Sequence, residues 1–437
     1  MNVGGRPAVR PWRTAFLAGM ASYLDAATIV STGIALVLFA PDLGLGEWSI
    51  GALSAVLTLC FAIGAVVGGR LGDRFGRRRV FTVTLAVLAT GLSVLAAATA
   101  PWMLAVGVVV AGLAIGSDLP VSLALIAEEA GPADRGKMVG LSAVLWLVGI
   151  AASVGLATVV GGLGSVGARV LYAHLVVVAV GVSALRRGLR ESVEWTTASS
   201  AADESPGDRA TRSAFRLLVR PPLLAAFAGT AAFYALWNLA ANTMGQFATF
   251  LFVNVAGASV SFASLVSLVG LPLGVLGGVV FMRVVDGARR RPYVVAGFVV
   301  ALVAFAVPLV LGVNVVTMTA CSLLFGLSAP FFGETIYKVW SQELFPTLVR
   351  SSAQGQTMAA ARVAAAAWAL VTPVIASSSP AVLFGVLLGC IAGSGAIGLG
   401  WVARLSVVGG ARPAEVGDGP SVTVGGGQRP TAAGTPV

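Results

Sequence analysis

The sequence predicts an all-α membrane protein in which twelve transmembrane helices form two pseudo-symmetric six-helix bundles, and three observations carry that prediction. First, 57% of the 437 residues are hydrophobic and only 11% are charged, which is more apolar surface than a water-facing globule can bury. Second, the apolar residues fall into runs of about twenty, the length that crosses a hydrocarbon core. Third, two kinds of charged loop recur at a nearly constant interval. Asp73 before an arginine cluster returns 213 residues later as Asp286 before Arg289 to Arg291, and Glu128 with Arg135 returns 215 residues later as Glu343 with Arg350. One interval shared by two loop types indicates duplicated halves, and carriers built this way hold substrate near midmembrane where the halves meet.

Taken in order, the first half supplies apolar runs over 14–40, 48–69, 80–99, 102–127, 137–162 and 167–186. The second supplies 221–253, 260–284, 293–312, 315–342, 351–376 and 381–404. Residues 1–186 therefore read as an N-terminal bundle, 187–220 as a polar connector and 221–405 as a C-terminal bundle. Residues 406–437, rich in Gly, Pro, Ser and Thr, read as a disordered tail. The formal charge of +10 follows loop position and does not indicate a nucleic-acid partner. Lysines and arginines crowd 6–13, 70–79, 135–137, 186–220, 283–291, 350 and 404–429, whereas the opposite loops carry only Arg169. Both termini and the connector are thereby predicted to be cytoplasmic, in a multi-pass cell-membrane protein. Alanine-, glycine- and arginine-rich usage points to a bacterial inner membrane. The first run starts after Arg13 and is a full span long, which argues against a cleavable leader. Cys60, Cys321 and Cys390 all lie in apolar runs, so neither a disulfide nor a metal site is expected. No phosphate-binding Gly-rich loop is present, so no nucleotide cofactor is expected either.

The most informative stretch is GRLGDRFGRRR at 69–79. Its glycines allow close packing of helix ends, and Asp73 among arginines makes an ionic cluster at the membrane surface. The spacing of Gly69, Leu71, Asp73, Arg74, Gly76 and Arg77 resembles the loop between the second and third helices of the major facilitator superfamily. Four further stretches resemble its sugar porter branch and the inositol- and metabolite-transporter-like relatives. They are GLAIGSDLPVSLALIAEEAGPADRG at 112–136, RESVEW at 190–195, DGARRRP at 286–292 and SQELFPTLVRSSAQG at 341–355. The resemblance spans nearly the whole chain except the tail. It implies the major facilitator fold and a transporter with no enzymatic activity. It also implies a cytoplasmic gate formed by Gly69, Asp73, Arg74, Gly76, Arg77, Glu128, Arg135, Glu191, Asp286, Glu343 and Arg350. Acids and arginines paired at helix ends can form and break as two halves rock.

Ionisable groups at midmembrane are costly and are usually kept for function. Asp25 lies about thirteen residues into the first helix, or about 20 Å from its start, and Asp118 lies comparably deep in the fourth. A carboxyl in an apolar setting binds and releases protons readily, so both are candidates for proton coupling. Asp25 resembles the proton-coupling aspartate of the sugar porters, whose arginine partner is replaced here by Val108. On the seventh helix Tyr234, Asn238, Asn242 and Gln246 recur every four residues as one polar stripe, with Trp237 beside it. Amides on such a stripe suit the hydroxyls or carboxylates of a small solute. Asn242 falls on a conserved asparagine of the sugar porters, and Trp237 can stack against a ligand. Glu334 and Lys338 stand one turn apart in the tenth helix, and Arg362 lies deep in the eleventh, where it either pairs with Glu334 or Asp118 or recognises an anionic substrate. His174 reads as a hydrogen-bonded packing residue.

The combined expectation is a monomeric secondary active transporter of a small polar metabolite (a sugar, polyol or organic acid), working by proton-coupled symport and alternating access. Its partners are that solute, protons and the bilayer. An exporter of drugs or secondary metabolites is the alternative, although VGIAASVGLATVVGG in the fifth helix lacks the proline of the drug-antiporter signature. A transport-inactive membrane sensor would need a signalling extension that the sequence does not show.

Overall fold

The computed structural model describes residues 11–129, 135–186, 218, 221, 223–285, 287, 289–345 and 347–405. Every regular element among them is helical. In the first half these are α1 (Pro11–Leu43), α2 (Glu47–Phe75), α3 (Arg77–Ala96), α4 (Pro101–Glu129), α5 (Arg135–Val160) and α6 (Ser165–Arg186). In the second they are α7 (Leu223–Phe250), α8 (Val260–Val284), α9 (Arg290–Leu311), α10 (Val315–Ser328), α11 (Glu334–Leu344), α12 (Thr347–Ser378) and α13 (Pro380–Gly400). Eleven of these helices are long and apolar enough to cross a membrane.

The tenth crossing departs from expectation. A single helix over 315–342 is predicted, but the chain breaks between α10 and α11. The cause is local. Pro330 has no N–H to continue the ladder, and Gly333 adopts φ 153°, ψ −136°, a conformation open only to glycine. The seventh helix, in contrast, overruns its α-helical end by one π-helical turn, Leu251–Val255. The charged stretch at 69–79 is also more helical than its composition suggests. α2 runs through Arg74 to Phe75, and the reversal into α3 is made by Gly76 alone, at φ 93°.

The two halves pack alike. In the first, α1 meets α4, α5 and α6, α2 meets α4, and α3 meets α4 and α6. In the second, α7 meets α11, α12 and α13, α8 meets α10, and α9 meets α10 and α13. Each packing of one half recurs in the other, once α10 and α11 are counted as one crossing and α12 and α13 as the fifth and sixth. Between halves the pairs are α1 with α7, α2 with α12 and α5 with α8, which is the pattern a two-fold axis between bundles produces.

Small residues let these helices approach. A Cβ on Gly64 would lie 2.4 Å from the Leu113 carbonyl oxygen, and one on Gly116 would lie 2.2 Å from that of Phe61. α2 and α4 therefore close on a seam of glycines, as membrane helices do where apolar burial offers no net drive. The bundles meet through the same device. A Cβ on Gly33 of α1 would lie 2.3 Å from the Gln246 carbonyl of α7, and one on Gly51 of α2 would lie 2.3 Å from the Leu370 carbonyl of α12. Gly33 is about 33 Å along α1 from Pro11, and Gly51 sits in the first turns of α2. Both contacts belong to the face opposite the arginine-rich turns. That face is where the two halves are closed on one another.

Candidate functional site

The site begins with a close approach of α1 and α5. A Cβ on Gly149 would lie 2.4 Å from the Tyr23 carbonyl, so the missing side chain lets α5 lie against α1 beside Asp25. Asp25 is only 3% exposed, and its Oδ1 has no hydrogen-bond partner. Thr28, one turn on, could have supplied one, yet its own hydroxyl is also without a partner. Trp146 of α5 is a hydrogen-bond partner of the carboxyl, although Oδ1 stays unsatisfied, and the residue remains 41% exposed. Behind Asp25, the Nδ1–H of His174 is directed to the Leu171 carbonyl at 2.8 Å, which leaves Nε2 to accept from the Tyr23 hydroxyl at 3.2 Å. His174 thus packs as expected, through two hydrogen bonds.

Charges from the other half face Asp25. Arg362 of α12 and Glu334 of α11 both act on its carboxyl electrostatically. The Arg362 guanidinium lies 4.7 Å from the centre of the Phe61 ring of α2, a cation–π contact across the bundle interface. Glu334 and Lys338 pair with each other at 2.7 Å, with both side chains more than a third exposed. Neither of the pairings open to Arg362 in the sequence, with Glu334 or with Asp118, is within ion-pair distance among the described residues.

Aromatic side chains wall this cluster on the α7 side. Tyr234 stacks on Tyr337 of α11 with ring centroids 4.2 Å apart, and Trp237 stacks on Tyr234 at 6.2 Å. The Tyr337 hydroxyl bonds Thr357 of α12, which ties the wall to the helix that carries Arg362. A Cβ on Gly333 would lie 2.3 Å from the Trp237 ring. The break in the tenth crossing is therefore where the indole is seated. Trp237 is 6% exposed and its Nε1 has no partner. Farther along the stripe, Asn238 is half-buried and Asn242 holds a buried Nδ2 without a partner. Gln246 donates from Nε2 to Thr58 of α2 at 2.9 Å, while its Oε1 has no partner. That last residue therefore joins the seal between halves, one turn or more beyond the charged cluster.

The second buried aspartate has a different setting. Asp118 is fully buried, and both its oxygens accept from Arg186 of α6, at 3.0 and 3.1 Å. Thr84 of α3 adds a donor at 2.9 Å. Arg186 also donates to the carbonyls of Leu17 and Ala18 in α1, and its guanidinium lies 4.6 Å from the centre of the Phe81 ring. Four helices of the first half converge on this pair, and Arg362 is not among its partners.

A family model for the Major Facilitator Superfamily matches residues 14–373. The chain belongs to the major facilitator superfamily. It is 32% identical over 393 residues to the minor myo-inositol transporter IolF of Bacillus subtilis (strain 168), a match that covers 87% of this chain and 88% of that protein. It is also 31% identical over 137 residues to the niacin transporter NiaP of Acinetobacter baylyi, there covering only 30% of that protein. Among solved structures, a D-xylose–proton symporter superposes with a TM-score of 0.71 at 18% identity, covering 89% of this chain and 96% of the other. The nucleoside transporter NupG superposes with a TM-score of 0.68 at 15% identity. At such identities the superpositions speak to the fold. As a member of this superfamily the chain is a multi-pass membrane transporter, and not an enzyme.

The superfamily loop residues are only partly described. Glu191 and Asp286 lie outside the described residues, as do the side chains of Asp73, Glu128, Arg135 and Arg350. Of the rest, Glu343 accepts from Arg290 of α9, inside its own half. Arg77 folds back over Gly72, where a Cβ would lie 3.1 Å from its Nη1 and 2.8 Å from Val121. Arg74 lies over the neighbouring Phe75 ring at 5.2 Å. Close helix packing holds for Gly72 and the turn for Gly76, whereas Gly69 has nothing within 4 Å of where a Cβ would stand.

Several residues of the transporter's centre escape the sequence reading. Phe61, Trp146, Tyr337 and Arg186 lie in apolar runs or at a run's end, where nothing in the local pattern distinguishes a core aromatic from a wall residue. Gly333 could have been found, because Pro330 and Gly333 together in one span signal an interruption.

Proposed function

We propose that this chain is a secondary active transporter that carries a small polar metabolite by alternating access, coupled to protons. The observation that carries the reading is that Asp25 of the first half lies within electrostatic reach of Arg362 and Glu334 of the second, with Lys338 paired to Glu334, where helices long and apolar enough to cross a membrane meet. Charges there are costly unless solvated or compensated, and here they line the surface along which the bundles would separate. The seal at Gly33 and Gly51 would open as the face bearing the arginine turns closes, giving the bistable element that the mechanism requires. Residues 1–186 and 221–405 are proposed to move as the two bodies, joined by the connector at 187–220, with both termini in the cytoplasm.

In this reading Asp25 exchanges the proton, and its unpartnered Oδ1 can take one up. Asp118, held by Arg186, braces the first bundle. The aromatic wall of Tyr234, Trp237 and Tyr337 and the amides of Asn238 and Asn242 bind the solute. The similarity to an inositol transporter supports a hydroxyl-bearing cargo. The testing experiment is uptake by proteoliposomes under an imposed pH gradient, across a panel of polyols, sugars and sugar acids. Accumulation that collapses with the gradient supports the reading, whereas uptake that never exceeds equilibrium under any gradient overturns the coupling.

A further inference from the structure

The charges at the centre do not match a neutral cargo. Glu334 and Lys338 neutralise each other at 2.7 Å. That leaves Asp25 and Arg362, one of each sign, on helices of opposite halves, within electrostatic reach of each other but beyond ion-pair distance. Asp25 is buried with Oδ1 unpartnered. Arg362 is half-buried and, among the described residues, has no carboxylate within 4.0 Å, only the face of Phe61. With Asp25 ionised the four formal charges cancel. With Asp25 protonated the cluster holds one uncompensated cation inside the membrane, which is unfavourable unless something negative arrives with the proton. A planar guanidinium with free N–H groups is the side chain best suited to grip a carboxylate through two parallel hydrogen bonds.

We propose that the cargo is a hydroxylated monocarboxylate, a sugar acid or its like, whose carboxylate is held by Arg362 while its hydroxyls meet the α7 amides. The inference rests on the transport reading above and narrows it. Asp25 and the cargo carboxylate then compete for one cation. Protonation of Asp25 releases Arg362 to the cargo, one proton and one monoanion load together, and the pair crosses without net charge. When the proton leaves on the other side, the Asp25 carboxylate reclaims Arg362 and expels the anion. Other titratable groups around Asp25 leave this balance unchanged. Tyr234 and Tyr337 are phenols, both nitrogens of His174 are hydrogen-bonded, and Trp146 carries no charge.

D-Glucuronate and myo-inositol serve as probes, compared in proteoliposomes and by ligand-induced thermal stabilisation of the purified protein. The proposal expects glucuronate to accumulate under an inside-alkaline gradient, with a rate unchanged by a potassium–valinomycin potential. Arg362→Gln should lower glucuronate uptake at least tenfold, and Arg362→Lys should restore part of it. Asp25→Asn, which imitates the protonated carboxyl, should bind glucuronate with an affinity that no longer falls as pH rises, while losing accumulation. Absence of glucuronate binding overturns the proposal whatever inositol does, and so does undiminished glucuronate uptake by Arg362→Gln. Gradient-driven accumulation of inositol without glucuronate binding would overturn this inference and leave the transport reading standing.

Discussion

Arg186→Met probes the brace of the first bundle most sharply. The change removes a guanidinium that gives two hydrogen bonds to Asp118 and one each to the Leu17 and Ala18 carbonyls. The carboxylate would remain fully buried, with Thr84 at 2.9 Å and Ser122 at 3.5 Å as its donors. Breaking one side of a buried pair costs about 3–5 kcal/mol, because the remaining charge is uncompensated. For a cooperative unit of roughly 150–250 residues, the size of one bundle, each kcal/mol shifts Tm by about 2–4 °C. The variant should thus unfold about 6–20 °C lower in a detergent thermal melt. Replacing both partners, Asp118→Leu with Arg186→Met, should recover most of the loss, since an apolar pair of similar volume often matches a buried ion pair. A single variant within about 2 °C of wild type would refute the reasoning. So would a double variant that falls as far as the single.

Three further outcomes follow from the same geometry. Gly333→Ala should destabilise the protein and impair transport more than Gly326→Ala. The new methyl would lie 2.3 Å from the Trp237 ring on a backbone that only glycine tolerates, whereas Gly326 has open space; thermal melts and uptake by both variants check it. Gly33→Leu should keep the halves from closing on the face opposite the arginine turns, so spin labels placed across that face should report longer distances than in wild type. Asp25→Asn should abolish gradient-driven accumulation while sparing solute exchange, measured as counterflow; unchanged accumulation would reject Asp25 as the proton carrier.

Much of the fold was legible because it rests on lengths and charges that the chain displays locally. Runs of about twenty apolar residues, arginines in alternate loops and a repeat of acid–arginine loops near 213–215 residues are one-dimensional signals that need no knowledge of packing. The break at Gly333 was less legible, since Val315–Ser328 and the polar α11 read together as one uninterrupted run. Pairing was the least legible. Asp118 looks as solitary in sequence as Asp25, yet its partner Arg186 stands at the end of a helix 68 residues away and reaches it only because α4 and α6 converge on α3 and α1. Arg362 was visible as a cation too deep to reach water, but its neighbour Phe61 belongs to the other half, 301 residues earlier. The polar stripe from Tyr234 to Gln246 was plain from its four-residue period. Its division was not: Tyr234 joins an aromatic wall with α11 of its own half and Gln246 joins the seal with Thr58 of the opposite half, a distinction set by which helix comes near each residue.

The central claim is that the partly exposed midmembrane groups face a water-filled space between the halves and not lipid. With Cys60, Cys321 and Cys390 replaced, single cysteines at Trp146 and at Lys338 can be challenged with a membrane-impermeant thiol reagent in oriented vesicles. Val177 of α6, 71% exposed on the outer surface, serves as the lipid-facing control. The account predicts that the cysteines at 146 and 338 react from the face bearing the arginine turns and that the cysteine at 177 does not. Labelling of neither central position from that face, in a protein that still transports, would contradict it.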